Sequence, residues 1–198
     1  FEEAGTVWDY TTIVKEEATS YPVLVRSLDA SIQNRLYRIG DKIVEESQKS
    51  SDTGILMGVG FQDKYGYALG DTVKLLDQSG KTMEFTVDGF FDLQVSGINE
   101  SWVILNSEQM MRLTGNDSKQ VTSIQTRLSE SQVFEADVMG KSLSDKITNS
   151  DLEVVNWKDE NSQLLSGLQG QSVSSLMIQI FVLVSVVLGI ASVLAISV

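Results

Sequence analysis

Leu176–Val198 reads LMIQIFVLVSVVLGIASVLAISV, and only Gln179, Ser185, Gly189, Ser192 and Ser197 interrupt its apolar residues. From Asn161 to Val198 there is no Asp, Glu, Lys or Arg. A helix rises about 1.5 Å per residue and a bilayer's hydrocarbon core is about 30 Å thick, so roughly 20 apolar residues cross it. A core helix of a soluble protein carries instead an apolar stripe and a wet face. The run therefore predicts a transmembrane helix over 176–198, inside which the chain is expected to end. Ser185, Gly189 and Ser192 are spaced four and three apart and share one face. Small residues in that pattern let a second membrane helix approach closely.

Immediately upstream, Trp157–Ser175 reads WKDENSQLLSGLQGQSVSS. Leu164, Leu165, Leu168 and Val173 keep an approximate helical spacing and are the candidate coupling residues of a stalk over 157–175. Asn156 is placed to cap this helix, and Asp159 and Glu160 favour its positive end. Gly167 and Gly170 weaken it locally. A continuous helix over 157–198 would be about 63 Å long, twice what the bilayer needs.

Residues 1–156 read as an α+β extracytoplasmic domain. Short strands are predicted within 1–27, clearest at Tyr21–Leu28, then a helix capped by Asp29 or Ser31 and running to Ile39, with Ile32, Leu36 and Ile39 inward. A strand over Lys42–Glu46, a buried strand Gly54–Gly58 and a helix over Phe61–Leu69 follow. Thr72–Leu76 and Met83–Phe91 flank a turn at Asp77–Lys81 and predict a hairpin. Ser101–Leu105 is a strand, and Asn106 caps a helix over Ser107–Leu113 with Glu108 in its first turn. Val121–Leu128 alternates as a half-buried strand. A helix from Ser129 or Ser131 to Ile147 would turn Val133, Ala136, Val138, Leu143 and Ile147 inward, and Leu152–Trp157 would be a last strand. The order implies a βαβ framework with a mostly β insert near 70–118.

Composition removes whole classes of function. The formal charge is −12, from 27 acidic and 15 basic residues. Nucleic-acid binding and docking on anionic lipid through a basic patch both need the opposite sign. Cysteine and histidine are absent. That excludes disulfides, Ser–His and Cys–His nucleophiles, and zinc sites built on Cys or His. The sequence predicts no catalytic residue, no metal site and no cofactor.

Two glycine motifs resemble phosphate loops without completing them. Gly58-Val59-Gly60 has Asp63 where a third glycine would stand, and Gly80-Lys81-Thr82 has Leu75 where its first glycine belongs. They read as a strand-to-helix turn and a hairpin tip, so ATP is not expected on this chain. The paired carboxylates, such as Glu45-Glu46 and Asp159-Glu160, read as solvated surface. Phe90-Phe91, after Val87-Asp88-Gly89, is a candidate partner-binding lip.

Several ordered pieces are similar to the MacB-like ABC-transporter permeases, which include the lipoprotein-releasing LolC/LolE-type subunits. They are Val23–Asp29 (with Ser27 where glycine is usual), GILMG at Gly54–Gly58, Gly70-Asp71 with Val73, Val87-Asp88-Gly89-Phe90-Phe91, and Gln179–Val198. The resemblance implies the MacB-like periplasmic core domain, with a porter-like βαβ subdomain, followed by the second of four transmembrane helices. It implies a cell-membrane permease with 1–156 extracytoplasmic and a second permease chain, identical or not. It also implies a separate ABC ATPase engaged through regions beyond Val198. The function implied is mechanotransmission, in which ATPase motion passes along the stalk to export or extract a lipoprotein, peptide or amphiphile. A signalling permease of the FtsX kind, activating a cell-wall hydrolase without transport, is the alternative, and a membrane-anchored binding domain without an ATPase is a third.

Overall fold

A computed structural model describes residues 3–16, 19–28, 32–48, 51–148 and 151–197, and the chain divides into two compact units, Phe1–Leu128 and Ser129–Val198. Residues 129–156, expected with the extracytoplasmic domain, thus group with the C-terminal unit.

Eight strands build the first unit: β1 (Glu3–Lys15), β2 (Ser20–Ser27), β3 (Ile43–Glu46), β4 (Gly54–Gly58), β5 (Thr72–Leu76), β6 (Thr82–Phe91), β7 (Trp102–Leu105) and β8 (Ser123–Arg127). Among the described residues, α1 (Gly60–Tyr65), α2 (Ser96–Asn99) and α3 (Ser107–Thr114) join them. The path β2-β7-β4-β6-β5-β1 is closed by pairing of β1 with β2, which makes a six-stranded ring of mixed direction. β2–β7 and β4–β6 are parallel; the other pairings in the ring are antiparallel. The seam between β1 and β5 rests on the register pair Val14↔Leu75, reinforced by the Thr12 hydroxyl, which donates to the Leu76 carbonyl at 2.6 Å. The strand-rich stretch 70–118 supplies β5, β6 and β7 to this same ring. β8 lies off the ring against the start of β1, and β3 against the end of β6.

The apolar residues separate into two cores. The larger gathers Val14, Val23, Val25, Ile55, Met57, Val73, Leu75, Phe85, Val87, Phe90, Val103 and Leu105 from the ring, with Phe61 of α1 and Met110 and Leu113 of α3. The smaller holds Val7, Leu28, Ile32, Ile39, Phe91 and Ile104. A break in register puts Ile55 opposite Val87 but Leu56 opposite Gly89, so Asp88 is the extra residue of a bulge. A strand normally alternates faces with period 2. The bulge resets that alternation, so Val87 and Phe90, three apart, face one core while Phe91 faces the other.

The hairpin and α3 form where their local signals place them. Asp77 Oδ1 accepts from the Ser79 and Lys81 amides at 2.8 Å each and closes the hairpin. Asn106 and Gln109 form a reciprocal capping box at the start of α3. The Gly58-Val59-Gly60 turn owes its glycines to a close approach: a Cβ on Gly58 would lie 2.2 Å from the Asn99 carbonyl oxygen.

Elsewhere the structure departs from expectation. Residues 33–37 form a wide π-helical turn, ended by Arg38 at φ 53°, and a 3-10 turn over Ile39–Lys42 follows. Ile32 and Ile39 are buried as expected; the proposed caps Asp29 and Ser31 lie outside the described residues. The helix expected over 129–147 is a 3-10 turn, Val133–Glu135, leading into α4 (Ala136–Ser144). On α4, Ala136 is buried but Val138 is exposed. Leu152–Trp157 is not a strand. No strand among the described residues pairs with it, and the Asn156 side chain instead accepts the Lys158 and Asp159 amides to start α5 (Trp157–Glu160). The last helix, α6, spans Ser162–Ser197. At 36 residues it is about 54 Å long.

Candidate functional site

The candidate site is the apolar helix and the small joint at its foot. α6 is uncharged throughout and is exposed on all sides. Within Ser162–Ile196 it is long and apolar enough to cross a membrane: its most apolar 18 residues have a mean hydropathy of 2.6 and none of them is buried. Leu164, Leu168 and Val173 are exposed and Leu165 is half-buried, so the chain itself brings none of the four into a packed core. Ser185, Gly189 and Ser192 share a face of α6, and nothing lies within 4 Å of a Cβ placed on Gly189. The Ser192 hydroxyl is turned back on its own helix, donating to the Leu188 carbonyl at 2.8 Å.

The expected helix from Trp157 onward is interrupted at Asn161, whose backbone leaves helical values (φ −107°, ψ 23°). The ladder nevertheless continues across it. The Asn161 amide donates to the Trp157 carbonyl at 3.1 Å, and the Leu165 amide donates to the Asn161 carbonyl at 3.0 Å. The result is a local irregularity rather than a loop.

α5 is fastened to the start of α4. The Trp157 indole N–H donates to the Val133 carbonyl at 2.8 Å, and its ring meets Phe134 edge-on at 6.2 Å. Lys158 Nζ lies 2.7 Å from Asp137 Oδ1, and the hydrogen bond it donates holds the Asp137 carboxyl below the usual carboxylate range. The sequence reading missed this joint. Its available signal was the tryptophan following an Asn cap.

Two polar arrangements stand out in the first unit. Arg26 on β2 faces Asp9 on β1 in register and grips it with two hydrogen bonds, Nε to Oδ1 at 2.7 Å and a terminal nitrogen to Oδ2 at 2.8 Å. Its other terminal nitrogen donates to the Tyr37 hydroxyl at 2.9 Å, and the guanidinium carbon lies 3.9 Å from the centre of the Trp102 ring. Three of its five N–H donors and one face of the guanidinium are therefore engaged, the kind of compensation that a charge taken out of water requires. Burial raises the Tyr37 pKa, partly countered by Arg26.

The second is a tyrosine relay beside a polar groove of about 790 Å³ lined by Lys15, Glu16, Tyr67, Thr72, Lys74, Thr82 and Glu84. The Tyr21 hydroxyl donates to that of Tyr67 at 3.1 Å, and Tyr67 donates to Glu16. Tyr21 stacks on Tyr65 with ring centres 3.8 Å apart. Burial is the main cause that pushes the Tyr67 pKa up to about 12, and it raises that of Tyr21 as well.

Phe90 and Phe91 do not form a binding lip. Both are fully buried, because β6 runs between β4 and β5 and is covered on both faces. The correction follows from the bulge at Asp88, which sends adjacent side chains into separate cores.

No family model and no curated protein matches the sequence. Among solved structures the chain is similar to the extracellular domain of the noncanonic ABC-type transporter YknZ from Gram-positive bacteria. That likeness has 12% identity and a TM-score of 0.46, and covers 78% of this chain and 81% of that one. It is also similar to a domain of a protein assigned as a permease from Porphyromonas gingivalis, at 15% identity and a TM-score of 0.39. There the coverage is 71% of this chain and 64% of the other. At these identities and scores neither likeness assigns a family or an activity.

Proposed function

We propose that this chain is the extracytoplasmic part, with one membrane-crossing helix, of an ABC-transporter permease subunit in the cell membrane. The observation that carries the reading is α6: 36 residues of uninterrupted helix without a charge. Fourteen of its residues between Leu176 and Ile196 are Leu, Ile, Val or Phe. At about 0.3–0.6 kcal/mol each they favour insertion by roughly 4–8 kcal/mol. The ordered motifs that resemble MacB-like permeases support this reading, and the acidic first unit suits an aqueous compartment.

In this reading the role is coupling. A separate ABC ATPase and a second permease chain supply motion, and the helix over 162–197 carries it to the ring-containing unit, which acts on a lipoprotein, peptide or amphiphile. The joint of Trp157, Lys158 and Asp137 suits that role because it fastens the foot of the helix to α4 within the second unit. The signalling alternative draws less support, since the aromatic pair it would present to a hydrolase is buried.

The test uses the full-length permease with its ATPase in lipid. Leu168→Pro, in the segment between the joint and the bilayer, removes a helical hydrogen bond and bends the rod. Transport is expected to fall at least tenfold while ATP hydrolysis continues. Undiminished transport would refute the coupling role.

A further inference from the structure

β8 is attached to the sheet differently from the strands of the ring. It pairs with Glu3–Val7 of β1, the half of that strand that β2 leaves unpaired. No β8 side chain belongs to either core. Its inward residues Ser123, Gln125 and Arg127 are polar and half-buried, while Ile124 and Thr126 are exposed. The Ser123 hydroxyl is buried without a partner among the described residues.

What holds β8 is its backbone ladder with Glu3–Val7 together with side-chain and turn hydrogen bonds. Tyr37 donates to Gln125, and Arg127 donates to the Arg35 carbonyl at 2.9 Å. The Thr122 amide and hydroxyl donate to the Val7 carbonyl at 2.9 and 3.0 Å, and the Thr122 hydroxyl accepts from the Asp9 amide at 2.9 Å. Water can replace each of these, so each contributes little net stability. β1 is held differently, by Val7 in the smaller core. The chain continues from β8 directly into the second unit at Ser129.

We infer that β8 is a detachable strand, peeling from β1 as a unit while the six-stranded ring stays closed. Movement of the chain beyond Leu128 then reaches the ring through a releasable strand and not through a core strand. That use rests on the coupling function proposed above; the detachment does not, and it is read by a different observable.

Hydrogen exchange on the whole chain in lipid nanodiscs tests it. Local openings expose amides at rates set by the stability of their own unit. The β8 amides should exchange at least 100-fold faster than those of Val23–Val25 and Val103–Leu105. Ala4 and Thr126 are register partners in a chain without cysteine, so Ala4→Cys with Thr126→Cys should form a cross-strand disulfide. Oxidation should slow β8 to the rate of the ring, and reduction should restore the fast exchange. Gln125→Ala should raise β8 exchange about fivefold and leave the ring unchanged. β8 exchanging at the ring's rate, or both rising together in Gln125→Ala, would overturn the inference.

Discussion

Phe90 and Phe91 are neighbours on β6 yet fill different cores, Phe90 packing with Met57 and Val87 in the larger and Phe91 with Val7 and Ile104 in the smaller. Both have no exposed surface. Truncating either leaves a cavity in a packed interior, at a cost of about 3–5 kcal/mol. Phe90→Ala and Phe91→Ala should each lower the urea midpoint of the first unit by that equivalent. A variant that keeps full stability and loses only partner binding would return the pair to the surface.

Arg26 organises a second neighbourhood. Its side chain is 7% exposed and that of Asp9 23%. Removing one member of a buried ion pair leaves the other charge uncompensated, which costs about 3–5 kcal/mol. Because Asp9 keeps some water, Arg26→Ala should fall at the low end, near 3 kcal/mol, with a shift in Trp102 fluorescence. Arg26→Lys keeps the charge but loses the planar fork, and should recover only part. The double replacement Arg26→Met with Asp9→Leu should be more stable than Arg26→Met alone. Additive losses in that cycle would show that the pair is not coupled.

The tyrosine relay predicts alkaline behaviour. Tyr67 is raised to about 12 in the folded chain against an ordinary value of 10.0, and Tyr21 is raised as well. A raised folded pKa means the native state keeps its proton while the unfolded state ionises. This contribution is therefore complete below pH 10 and is lost as pH rises from 10 through 12. Absorbance at 295 nm should show fewer than the five tyrosines ionising near pH 10, with the rest appearing only on unfolding. All five titrating together near 10 in folded protein would contradict the relay.

α6 makes a prediction about depth. Cysteines introduced one at a time at Leu164, Leu168 and Val173 meet no native competitor, because the chain has none. They should react with a membrane-impermeant maleimide, whereas cysteines at Val182, Val186 and Ile190 should not. A helix rising 1.5 Å per residue puts roughly 14 Å between Val173 and Val182, enough to separate water from hydrocarbon. Equal labelling along the helix would remove it from the bilayer.

The apolar run, the hairpin at Asp77–Lys81 and the capped helix after Asn106 were legible in the sequence, since each depends on residues within a few positions of one another. The candidate site was half legible: the uncharged helix is a matter of composition, but the anchoring of Trp157 on Val133 spans 24 residues. A short apolar stretch such as Leu152–Trp157 reads as a strand only until one asks which strand would pair with it. Closure of the ring through Val14↔Leu75, the wide turn at 33–37, the partners of Arg26 and the burial of Phe90 and Phe91 belong to the tertiary structure. Local patterning sets which side chains must leave water and where the backbone can turn. Which distant segment receives them is settled by long-range pairing and by a single bulge, and those energies are set only once the segments meet.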